Sequence, residues 1–197
     1  MDSRFRGNDG TRLTQDLLGI IMPYKLIILD RDGVINEDSD EYVKAPEEFI
    51  FIEGSLEAIV KLNRAGIKVA VATNQSGIAR GLFTEKTLQA MHYKLMLALQ
   101  EKGGHIDKIL YCPHNEKDNC LCRKPLPGMI QDLLDLFEVP AYETVVIGDS
   151  LRDLQAGQAA GCDTLLVRTG KGTRLLEKQS VDVPVFDDLA AAVDYLL

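Results

Sequence analysis

The chain has 197 residues, 46% of them hydrophobic, enough for one well-buried core and cramped for two full domains. Its 30 acidic residues outnumber 22 basic ones, and the net charge of -8 repels polyphosphate backbones, so nucleic acid is not an expected partner. No stretch approaches the ~18 apolar residues of a membrane span and "LLGII" is too short for a signal-peptide core, so the expectation is a cytoplasmic monomer with no membrane partner.

Residues 1–21 are mostly polar and precede a second methionine, Met22; they read as a disordered or loosely attached leader to a single domain spanning 22–197. From Lys25 onward short apolar runs alternate with amphipathic stretches, the pattern of strand, crossover helix and parallel strand. "KLIILD" is continuously apolar and predicts a strand buried on both faces. Ser55 to Ala65 predicts a helix with Ser55 as N-cap and Gly66 as its stop, followed by the strand "IKVAVAT". A longer helix is expected over Thr84–Lys102, with Leu88, Met91, Leu95 and Leu99 on its core face. "DKILYC" is the third strand, Pro127 opens a helix through Phe137, and "TVVIGD" is the fourth strand. Ser150 and Asp153 have the spacing of a capping box, "TLLVRT" is a fifth strand, "VPVF" a sixth, and Asp187 is expected to cap the last helix. The architecture is a doubly wound α/β three-layer sandwich with a mainly parallel sheet, whose ligands bind beyond the carboxyl ends of the strands.

Those strand ends carry chemistry: Asp30 and Asp32, Thr73 and Asn74, Arg123 and Lys124, then Asp149 and Asp153. Asp30 and Asp32 stand two apart, about 7 Å along an extended backbone and toward one face. Buried like charges need a cation or a shared proton, and hard oxygen donors from Asp30, Asp32 and Asp149 suit Mg²⁺. Single aspartates after strands are usually caps or turn formers; it is their number at one edge that favours a site.

The segment "YCPHNEKDNCLC" places Cys112, His114, Cys120 and Cys122 in a Cys-x-His-x5-Cys-x-Cys spacing. Three thiolates and an imidazole are the donor set of a closed structural Zn²⁺ site. A disulfide explains at most two of the cysteines, and the Cys-x-x-Cys of a redox pair is absent. Zinc here orders a polar loop that leads directly into Arg123 and Lys124. Cys162 reads as a buried thiol, and His92 and His105 as residues without matching partners.

In order, "LDRDGVIN", "VATNQSGIARG", "CRKP" and "VIGDSLRD" resemble the four motifs of the haloacid dehalogenase (HAD) superfamily of phosphotransferases, over residues 24 to 170. Within it, the cysteine cluster before "RKP" and the segment "NQSGIARG" are similar to the heptose-1,7-bisphosphate 7-phosphatases, with histidinol-phosphate phosphatases as close relatives. The resemblance implies a HAD-like fold, a sugar bisphosphate substrate from the lipopolysaccharide-core precursor pathway, and hydrolysis through an aspartyl-phosphate. Asp30 would be the nucleophile and Asp32 the general acid and base, which requires a pKa raised toward neutrality. Thr73 and Lys124 would stabilise the phosphoryl oxygens. Mg²⁺ would be held by Asp30, the backbone carbonyl of Asp32, and Asp149, with Asp153 behind them orienting Lys124 or metal-bound water. Arg123 would take the second phosphate, and Asn74, Gln75, Ser76 and Arg80 would add substrate contacts.

Only 42 residues separate Asp30 from Thr73 and 50 separate Thr73 from Lys124, and predicted elements fill both gaps. No large cap domain fits, so residues 37 to 46 and the zinc loop are the expected walls of the site. A histidinol-phosphate phosphatase is the alternative enzyme and a scaffold that has lost the chemistry is the alternative class; a phosphatase acting on nucleic-acid ends is disfavoured by the acidic surface.

Overall fold

A computed structural model of the protein describes residues 24–197, so the expected leader at 1–21 lies outside the described residues. Six strands form one sheet: β1 (Leu26–Leu29), β2 (Lys68–Asn74), β3 (Lys108–Cys112), β4 (Thr144–Gly148), β5 (Asp163–Val167) and β6 (Val185–Phe186). Their order is β3-β2-β1-β4-β5-β6, and every neighbouring pair is parallel. Six helices connect or follow them: α1 (Ser55–Arg64), α2 (Glu85–Glu101), α3 (Gly128–Phe137), α4 (Leu151–Ala159), α5 (Gly172–Leu176) and α6 (Leu189–Leu196).

Alternation along the strands sorts the core into two layers. Ile27, Leu29, Val69, Val71, Val145 and Ile147 pack with α1, α2 and α6 on one face. On the other, Leu26, Ile28, Ala70, Ala72 and Val146 pack with α3 and α4. Successive strand residues point to opposite faces, so an all-apolar run such as β1 is stable only when both faces are covered. The four core positions expected on α2 are all fully buried. Among the described residues no helix is long and apolar enough to cross a membrane.

Two caps differ from expectation. Ser55 is the first helical residue of α1 rather than its N-cap, which is Gly54 in the left-handed region at φ 78°. The Ser55 hydroxyl instead donates to the Ile35 carbonyl at 2.8 Å, a buried tertiary bond that local spacing does not reveal. Asp188, not Asp187, caps α6, its carboxylate accepting from the Ala191 amide at 2.8 Å. Asp187 is exposed and pairs with Arg168 at 3.3 Å. The Ser150–Asp153 capping box is present at the start of α4.

The sheet order fixes where a ligand goes. From β1 the chain winds through β2 to β3, then returns to place β4 on the other side of β1. The loops leaving β1 and β4 therefore diverge, opening a crevice at the carboxyl ends of two central strands.

Candidate active site

Asp30 leaves β1 and Asp149 leaves β4, and the crevice brings them together. With Asp153, from the first turn of α4, each offers a carboxylate oxygen within 4.8 Å of the others. Gly33 makes this approach possible: its φ is 86°, and a side chain there would run into the Asp149 carboxylate. Lys124 inserts its ammonium among the acids, 3.0 Å from Asp30 and 2.5 Å from Asp153, and donates to the Ala72 carbonyl at 2.7 Å. Its side chain is only 3% exposed.

One ammonium does not neutralise three buried carboxylates. Burial pushes Asp30 up to about 7, against the lowering pull of Lys124 and with repulsion from Asp153 and Asp32 adding to the rise. Burial, then Asp153 and Asp30, push Asp149 up to about 8. Asp153 is already engaged: it holds Lys124 and accepts from the Ser150 hydroxyl at 2.5 Å and the Ser150 amide at 3.0 Å. Asp30 and Asp149 remain as hard oxygen donors short of positive charge, which fits a divalent cation of the Mg²⁺ type.

Asp32 does not join this group, and its acidity departs from expectation. Its two carboxylate oxygens accept from Arg31 Nη2 at 2.8 and 2.9 Å, and it also accepts from the Asn36 amide at 2.8 Å and the Gln75 amide at 2.8 Å. Burial alone would raise its pKa, but the Arg31 charge and these bonds outweigh it and hold Asp32 below the usual carboxylate range, not near neutrality. Arg31 is itself fully buried, lying over the Phe49 ring and 3.3 Å from His92 Nε2. His92 thus has partners after all; burial first, then the Arg31 charge, push it down to about 4.

The end of β2 supplies three differently occupied polar side chains. Gln75 must direct its NH₂ at the acceptor-only Asp32 carboxylate, and the same nitrogen donates to Thr73 Oγ1 at 2.9 Å. The Thr73 hydroxyl is therefore an acceptor toward Gln75, and its own hydrogen is left to donate into the crevice. Asn74 clasps the backbone of Lys124 from both sides, donating to its carbonyl at 2.9 Å and accepting from its amide at 3.1 Å. Asn74, Gln75, Ser76 and Arg80 all line the pocket, the first two while also holding Lys124 and Asp32 in place.

That pocket encloses about 490 Å³. Its walls are the expected ones, with Asp38, Asp40 and Tyr42 on one side and Glu116 and Arg123 from the cysteine loop on the other. Lys171, which sequence spacing did not single out, closes the end: its amide donates to Asp149 at 2.8 Å and its ammonium meets Asp38 at 2.5 Å. Arg123 is buried, donating to the His114 carbonyl and pairing with Glu116, both at 3.2 Å.

Behind this wall Cys112, His114, Cys120 and Cys122 converge with donor atoms mutually within 4.8 Å. Cys112 Sγ lies 3.5 Å from Cys120 Sγ and 3.6 Å from His114 Nδ1, and Cys122 Sγ lies 3.4 Å from that nitrogen. These separations exceed the ~2.05 Å of a disulfide and approach the edges of a tetrahedron built on ~2.3 Å Zn–S and ~2.1 Å Zn–N bonds, so the four residues could hold zinc.

The HAD-hydrolase-like family profile matches residues 121–192. The D-glycero-β-D-manno-heptose-1,7-bisphosphate 7-phosphatase of Bordetella bronchiseptica is 51% identical over 175 residues, 88% of this chain and 98% of that protein. This chain belongs to the heptose-1,7-bisphosphate 7-phosphatase family. It is a HAD-like phosphoric monoester hydrolase. The Neisseria meningitidis member of the family is 50% identical over 177 residues, covering 88% of this chain and 95% of that protein. A crystal structure of the B. bronchiseptica D,D-heptose 1,7-bisphosphate phosphatase complexed with magnesium and phosphate superposes with a TM-score of 0.85 at 50% identity, covering 87% of this chain and 97% of that one. The all-parallel six-stranded sheet of this chain agrees with expectation.

Proposed function

We propose that the protein is a Mg²⁺-dependent phosphatase that removes the 7-phosphate of D-glycero-β-D-manno-heptose 1,7-bisphosphate, as its relatives are named to do. The observation that carries the reading is the convergence of Asp30 and Asp149, from two separate strand ends, on the floor of a pocket also lined by Lys124 and Thr73. The anomer rests on the names of those relatives.

In this reading Asp30 attacks phosphorus, the bond from phosphorus to the C7 oxygen breaks, and an aspartyl-phosphate forms. Asp32 gives a proton to the departing oxygen, then takes one from the water that attacks the intermediate, restoring Asp30 and releasing inorganic phosphate. Its lowered pKa leaves Asp32 ionised before substrate arrives; the phosphate dianion beside it raises that pKa, so Asp32 takes up a proton from solvent and then has one to give to the leaving oxygen. Lys124 and the free hydrogen of the Thr73 hydroxyl donate to the equatorial oxygens as charge gathers on them. Mg²⁺, held by Asp30, Asp149 and the Asp32 carbonyl, would supply the positive charge that lets a carboxylate approach a phosphate. Zn²⁺ held by Cys112, His114, Cys120 and Cys122 would fix the loop that delivers Arg123 and Lys124, without touching substrate.

The deciding experiment is phosphate release from the α- and β-anomers of the heptose bisphosphate beside histidinol phosphate. Preference for the β-anomer supports the proposal. A preference for histidinol phosphate, whose amine would face the pocket's arginines, overturns it.

A further inference from the structure

Three guanidinium groups gather on one exposed carboxylate at the rim of the pocket. Glu116 lies 3.2 Å from Arg123, 3.5 Å from Arg152 and 3.9 Å from Arg80. The arginines come from separate places: Arg80 from the loop after β2, Arg123 from the end of the cysteine loop, and Arg152 from the first turn of α4. All four residues line the same pocket as Asp30 and Asp149.

One carboxylate facing three guanidiniums leaves an excess of about two positive charges, the charge of a phosphate monoester dianion. The contacts are graded: Arg123 donates a hydrogen bond at 3.2 Å, Arg152 reaches the same oxygen at 3.5 Å, and Arg80 stands at the outer limit of an ion pair at 3.9 Å. Glu116 sits in a short 3-10 turn (Glu116–Asp118) with its side chain 61% exposed, so it can turn into water without uncovering any core. As an ordinary exposed carboxylate it is an anion at neutral pH, in competition with any other.

We propose that Glu116 is a resident counter-anion that a second phosphate on the substrate displaces from Arg80, Arg123 and Arg152, so that the three arginines set the preference for a sugar bisphosphate over a monophosphate and Glu116 tempers it. The inference rests on the functional reading above and deepens it by giving roles to two residues, Glu116 and Arg152, that the sequence analysis left without one. A monophosphate bound at Asp30 leaves Glu116 in place and gains nothing from the arginines. A bisphosphate replaces one negative charge with two and takes contacts that the carboxylate makes at 3.5 and 3.9 Å.

The test is the ratio of kcat/KM for heptose 1,7-bisphosphate to kcat/KM for heptose 7-phosphate, measured on the zinc- and magnesium-replete enzyme. Glu116→Gln removes the competitor and raises the ratio about 3- to 10-fold, while Arg152→Gln lowers it about fivefold, the size of an exposed or half-exposed ion pair. Glu116→Ala, made alongside, moves the ratio in the same direction as Glu116→Gln. A Glu116→Gln ratio at or below the parent's, or an Arg152→Gln ratio at or above it, overturns the inference while leaving the activity assignment standing. A parent enzyme that fails to hydrolyse the bisphosphate refutes the assignment and this inference with it.

Discussion

Lys124→Met tests the electrostatics of the site most directly. Methionine keeps the unbranched shape and removes a charge that is 97% hidden from solvent, 3.0 Å from Asp30 and 2.5 Å from Asp153. Breaking a buried pair by removing one partner leaves the other charge uncompensated and costs roughly 3–5 kcal/mol. At ~2–4 °C per kcal/mol for a domain of this size, melting should fall by roughly 6–20 °C. The loss should also depend on pH. Asp30 and Asp149, at about 7 and 8, sit above the ordinary aspartate value of 3.8, so the folded protein holds protons that the unfolded chain has shed. Stability therefore declines as pH rises from about 4 through about 8. Without the lysine, whose charge lowers the Asp30 value, the decline steepens, and the deficit of the variant is larger at pH 8 than at pH 5.5. Urea unfolding of both proteins at the two pH values, with and without Mg²⁺, measures this, and the cation should recover part of the loss at pH 8. A deficit below about 1 kcal/mol at pH 8, or one equal at both pH values, would refute the reasoning.

Protons and cation compete for Asp30 and Asp149, so the Mg²⁺ concentration for half-maximal turnover should fall steadily between pH 6 and pH 8.5; a flat profile argues against these two as the metal pair. Gly33→Ala forces a side chain at φ 86° against the Asp149 carboxylate, and phosphate release should drop about 100-fold or more with the circular dichroism spectrum retained. Full activity in that variant would mean Asp149 need not sit where it does. Cys120→Ser should speed amide exchange across residues 112–126 and raise KM while leaving β1 and β4 protected; loosening spread evenly over the sheet contradicts a purely local role for zinc.

Strands were legible because parallel strands covered on both faces are continuously apolar, as "LIIL" and "VVI" are, and because each delivers a polar residue at its carboxyl end. Asp30 and Asp149 could be placed from that rule alone. The orientation of Asp32 could not: it depends on Arg31 lying fully buried one residue away, an unusual place for a guanidinium and one set by Phe49 and His92 from distant segments. Glu116, Arg152 and Lys171 escaped notice for a related reason. Their pairings, such as Arg152 with Glu116 and Lys171 with Asp38, join residues 36 and 133 positions apart, and charged side chains on loops ordinarily face water. Helix α5, five residues long, is too short for periodicity to register. The caps show the limit of local chemistry: Asp187 and Asp188 carry the same carboxylate, and it is Asp188, in extended backbone, that accepts from the Ala191 amide.

The two-sided clasp of Asn74 on Lys124 has a consequence for how the neighbouring loop can vary. Because that amide fastens the lysine's own backbone to the end of β2, the ammonium is anchored to the sheet itself and does not hang only from the cysteine loop that precedes it. Changes of length between His114 and Cys120 should therefore alter the rim of the pocket, where Glu116 sits, more than the seat of Lys124 beside Asp30.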